Sequence, residues 1–64
     1  MTINELTQAL QEKGYHWIER REHVYGYPCI YAVKDGKEVF LGTKNLILSS
    51  SLAIFKRNEA YTKL

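Results

Sequence analysis

Few residues of this 64-residue chain are equipped for chemistry: His16, His23, Cys29, the carboxylates Glu19, Glu22 and Glu38, and the run Ser49-Ser50-Ser51. The two histidines have no third nitrogen, sulfur or carboxylate at ligand spacing, so they do not compose a metal site. A lone cysteine excludes an intramolecular disulfide and a cysteine-based zinc site, and Cys29 is expected to be a small buried hydrophobe rather than a nucleophile. The serines lack the strained turn and partner base of a nucleophilic serine, and they read better as helix-capping residues. The three glutamates can be neighbours across a sheet, but nothing around them marks an acid–base pair. The glycines form no phosphate-cradling loop. No catalytic residue, metal, cofactor or small-molecule substrate is expected. The chain reads as a binding module and not as an enzyme.

Composition narrows the class of partner. The chain is 45% hydrophobic and 25% charged, the balance of an ordinary globule and not of a disordered tail. Its length makes one domain, residues 1–64, near the lower limit for a self-sufficient hydrophobic core. No apolar run matches a membrane span and no signal-peptide pattern opens the chain, so a cytoplasmic, membrane-free setting is expected. The net charge of +2 is too small to imply nucleic-acid binding by itself. Its distribution is uneven, however. Glu5 and Glu12 against Lys13 leave the first segment negative, the middle balances, and Lys44, Lys56, Arg57 and Lys63 against Glu59 make the C-terminal segment positive.

The elements that must position these residues follow from spacing. Thr2-Ile3-Asn4-Glu5 has capping-box spacing, and Ile3, Leu6, Ala9 and Leu10 give one apolar face, so a helix is expected over 3–13, stopped at Gly14. Tyr15 to His23 reads as a strand, with Tyr15 and Trp17 on one face and His16 and Ile18 on the other; Val24 to Pro28 reads as a loop. Two β-prone runs, 29–34 and 37–42, flank Asp35-Gly36, the pair that best tolerates a type I′ turn. That turn pairs Ala32 with Val39, Tyr31 with Phe40 and Ile30 with Leu41. Ile30, Ala32, Val39 and Leu41 then face the core, and Tyr31 and Phe40 lie opposite, beside Val33 and Glu38.

Residues 45–64 are helical in type, with the start at Asn45 or, after an extended Leu46-Ile47-Leu48, at Ser49. Ile47, Ile54 and Tyr61 recur every seven residues, with Leu48, Leu52 and Phe55 on the same stripe and Lys56, Arg57 and Lys63 toward the other side. The expected fold is α+β: a single α-β-β-β-α domain whose three-stranded antiparallel sheet carries both helices on one face.

Three resemblances give this order a context. Cys29-Ile30-Tyr31, followed by Phe40-Leu41-Gly42, resembles the first hairpin of GIY-YIG nucleases. That family also needs a helical arginine and a later metal-binding glutamate on a longer chain, and Cys29 stands where it has its first glycine, so nuclease activity is not expected. The hairpin with Leu41-Gly42-Thr43 and a following helix looks like the plant ethylene-response-factor type of DNA-binding domain, a likeness that would make Arg20 and Arg21 base readers.

From residues 6–14 through Lys34-Asp35-Gly36-Lys37 to residues 59–64, the chain resembles the double-stranded RNA-binding domain. That family reads A-form RNA by shape across two minor grooves and the phosphates between them. The resemblance implies that Asn4, Gln8 and Gln11 enter one minor groove and that the β1–β2 loop, with His23, Gly26 and Pro28, meets the second. The family's phosphate-binding lysine cluster corresponds to Ser49-Ser50-Ser51-Leu52-Ala53, which has no lysine, and Lys44 nearby replaces it only in part. Structured RNA is therefore one expected partner. The other is a protein, or a second copy of the chain, docked on Leu46-Ile47-Leu48 or on the Tyr31/Phe40 sheet face.

Overall fold

The computed structural model describes residues 1–21 and 26–64. Helix α1 (Ile3–Gln11) starts where the sequence signals it. The Thr2 N–H donates to Glu5 Oε1 at 2.8 Å and the Glu5 N–H to Thr2 Oγ1 at 3.1 Å, which completes the capping box. It ends in paired bonds from the Gly14 N–H to Gln11 O and from the Tyr15 N–H to Leu10 O, both 2.9 Å. The regular helix therefore closes at Gln11, two residues short of the expected end, and the intervening residues form the closing turn.

Strands β1 (His16–Arg21), β2 (Pro28–Lys34) and β3 (Lys37–Thr43) form one antiparallel sheet in the order β1-β2-β3. Asp35 and Gly36 have φ of 51° and 80°, the positive values a type I′ turn demands, so the two-residue hairpin is as expected. Tyr31 faces Phe40 and Ala32 faces Val39. Ile30, however, faces Gly42 and not Leu41. The extra residue is a β-bulge in β3, and Gly42 at φ +139° adopts a backbone that side chains resist. The bulge keeps Leu41 in the core while bending the strand into the next helix.

The C-terminal segment departs most from expectation. It is not one helix begun at Asn45 or Ser49, but three short ones: α2 (Lys44–Ser49), α3 (Leu52–Lys56) and α4 (Glu59–Thr62). Thr43, Ser51 and Asn58 cap them, each side chain accepting a backbone N–H. The serines explain the break. Ser49 Oγ donates to Asn45 O at 2.7 Å and Ser50 Oγ to Leu46 O at 3.0 Å, back-bonds that compete with helix continuation, and Ser51 restarts the helix as a cap. A seven-residue period cannot run through a break. Ile47 and Tyr61 are buried as expected, but Ile54 is 56% exposed, and Leu52 and Phe55 supply α3's inward contacts instead.

One core joins Leu6, Ala9 and Leu10 of α1, Tyr15, Ile30 and Ala32, Leu41, Ile47, Phe55 and Tyr61. All helices therefore pack on the same face of the sheet. The Tyr61 hydroxyl donates to Ala9 O at 2.8 Å inside that core, and Trp17 Nε1 donates to Thr7 Oγ1 at 3.0 Å, tying α4 and β1 to the first helix. The Met1 ammonium donates to Leu48 O at 2.7 Å and also to Ser50 O, holding the start of α1 against the end of α2. No helix is long and apolar enough to cross a membrane among the described residues.

Candidate functional site

The residues first suggested for chemistry are dispersed. His16 is exposed on β1, and His23 and Glu22 lie outside the described residues. Glu19 and Glu38 stand on opposite faces of the sheet by strand alternation, so they form no carboxylate pair. Cys29 is buried, with Sγ 3.5 Å from Tyr27 O, as a small hydrophobe would be. The serine hydroxyls are absorbed by helix ends. Among the described residues no group of three or more metal-ligating side chains converges.

The polar row on α1 is displayed as its spacing requires. Asn4, Gln8 and Gln11 are exposed, opposite buried Leu6, Ala9 and Leu10. Lys44 opens α2, and its Nζ lies 2.8 Å from Glu19 Oε1 on β1. Its charge is therefore answered within the molecule, which lowers its value as a phosphate contact. Arg20 and Arg21 are engaged as well, Arg20 with Glu38 and Arg21 as donor to Gly26 O at 2.8 Å.

Two surfaces are more distinctive. On the helix-free face of the sheet, Tyr31 and Phe40 meet edge to face with centroids 5.5 Å apart. Arg20 stacks its guanidinium 5.1 Å from the Tyr31 centroid and pairs with Glu38. Apolar centre and charged rim are thus balanced.

The second surface is a cleft of about 150 Å³ between β3 and the short helices. Leu41, Gly42, Ile47 and Phe55 line it with Leu46, Ser50, Ile54 and Asn58, and none of these is charged. Leu46 is 69% exposed and Ile54 56% exposed. Local structure produces this directly. Gly42 at the bulge puts no side chain between β3 and Ile47, and Ser50 and Ser51 separate α2 from α3 beside it. The sequence offers Leu46 as a docking residue, but its seven-residue spacing sets Ile54 on one stripe with Ile47 and Tyr61, which are buried. Ser49-Ser50-Ser51 is the signal in the sequence, since a helix interrupted there does not carry the periodicity of Ile47 on to Ile54.

No family model matches the chain, and neither a curated protein nor a solved structure matches it.

Proposed function

We propose that this chain is a small protein-interaction module that works without catalysis, taking an apolar side chain of a partner into the cleft between β3 and the short helices. The supporting observation is that uncharged cleft with Leu46 and Ile54 exposed beside it. Interface centres are depleted of charge and enriched in large apolar groups, as here. Volume sets the ligand class. Small-molecule sites run to roughly 300–1,000 Å³, whereas this cleft, about 150 Å³ and open to solvent with Ser50 and Asn58 at its wall, has room for one side chain. The fit is one branched or aromatic side chain.

The test is an NMR titration of methyl-labelled protein with N-acetyl-leucinamide, with N-acetyl-asparaginamide as control. At about −0.3 kcal/mol per heavy atom such a ligand binds near the millimolar range. Methyl shifts at Leu41, Ile47 and Ile54 with the leucine compound alone support the reading. Equal or absent shifts with the two compounds, in protein dilute enough to be monomeric, would sink it.

The second reading is contact with structured RNA through Asn4, Gln8 and Gln11, with His23 and Lys44. It is favoured by the exposed row on α1, whose side chains make no hydrogen bond among the described residues, and by the resemblance to the double-stranded RNA-binding domain. A short RNA duplex titrated into the labelled protein at low salt should then shift α1 amides, and a flat titration removes this reading.

A further inference from the structure

We infer that the side chain entering the cleft is Leu46 of a second copy, so that the chain forms a two-fold dimer across α2. This rests on the cleft being a protein-docking site and names its occupant. Leu46 both lines the cleft and exposes most of its surface. The same patch thus carries a knob and a hole, the condition for an isologous contact in which each copy offers the other what it receives.

Charge permits this pairing where composition alone argues against it. The C-terminal segment is the basic one, and two copies brought together there would repel. Yet Lys44 is paired with Glu19 at 2.8 Å, Lys56 with Glu12 at 3.2 Å and Lys63 with Glu59 at 2.8 Å. Arg57 donates to Ala53 O of its own helix, leaving one cation per copy in that segment without a carboxylate among the described residues. Each copy answers most of its basic charge before they meet.

Size sets the strength. The molecule measures 30 × 28 × 20 Å. Even its broadest face offers on the order of 600 Å², so two copies bury at most on the order of 1,200 Å², the lower end of specific interfaces. The dimer is weak and reversible.

Sedimentation equilibrium of the whole chain, from micromolar to millimolar concentration, tests this. The wild type should rise with concentration from 7.5 kDa toward twice that mass. Leu46→Asp should stay at the monomer mass, with a melting curve matching that of wild type diluted to its monomeric range, because the side chain is mostly exposed. Phe40→Ser, on the other face of the sheet, should dimerise like the wild type. A monomeric wild type overturns the dimer, as does an association abolished by Phe40→Ser and kept by Leu46→Asp. N-acetyl-leucinamide titrated into the same samples separates the two levels. Shifts in a monomeric wild type leave the docking cleft standing without the dimer; in a sample that sedimentation shows to be monomeric, where no second copy fills the cleft, no shifts remove both.

Discussion

Arg20 Nη2 lies 2.7 Å from Glu38 Oε1, so a side chain of the first strand reaches the third across the ring of Tyr31 on the second. The pair clasps the helix-free face of the sheet, but both side chains are about half exposed, and solvent screens them. A double-mutant cycle of Arg20→Ala and Glu38→Ala, read by urea unfolding, should give a coupling of about 0.5 kcal/mol that shrinks with added salt. A coupling several times larger would mean that the stacking on Tyr31 desolvates the pair.

Gly42 should tolerate substitution poorly. A Cβ there would sit 3.7 Å from the Ile47 side chain, an ordinary contact, so crowding is not the cause. The strain lies in φ +139°, and Gly42→Ala should cost about 1–3 kcal/mol in chemical denaturation. In a domain of this length that is a sizeable share of a total of roughly 3–10 kcal/mol. A cost near zero would show that the bulge relaxes to the regular register, with Ile30 opposite Leu41.

That register shows how far local sequence carries. Asp35-Gly36 specifies its turn by its own φ preferences, and the Tyr31–Phe40 and Ala32–Val39 pairs follow by counting outward. The count fails at Leu41, because the bulge answers to the join between β3 and α2 just beyond it, which the φ preferences of the turn do not reach. Ile54 fails for a related reason: its period was sound, but the helix it assumed is interrupted by Ser50 and Ser51. The α1 row was legible because one amphipathic helix fixes all three outward positions. The engagement of Lys44 by Glu19 was not, since it joins residues 25 apart whose meeting depends on the whole sheet. The cleft is the sum of the two local failures.

The Lys44–Glu19 pair separates the RNA reading from its absence. While paired, Lys44 releases little counterion on binding phosphate, so Lys44→Ala should hardly alter the salt dependence of binding to an RNA duplex. Glu19→Gln removes the competing carboxylate. If RNA is a partner, that variant should bind more tightly at low salt, with a log–log salt slope steeper by about one. Fluorescence anisotropy with a labelled duplex measures both, and an unchanged slope in Glu19→Gln would exclude Lys44 from any phosphate contact.

Ser51 is the residue on which the geometry of the cleft turns. Its Oγ accepts the Ile54 N–H at 3.2 Å, starting α3 immediately after the Ser50 back-bond has ended α2. Ser51→Ala leaves that N–H without its cap and should lower stability by about 1 kcal/mol. Ser51→Asp keeps an acceptor at the cap and places a negative charge at the helix N-terminus, so its stability should match or slightly exceed the wild type. If Ser51→Ala proved as stable as the wild type, continuation of α2 into α3 would be the simplest cause, and a rise in helical circular dichroism would identify it. A continuous helix would carry Ile54 onto the Ile47 face and close the cleft, so the same variant should then lose its response to N-acetyl-leucinamide.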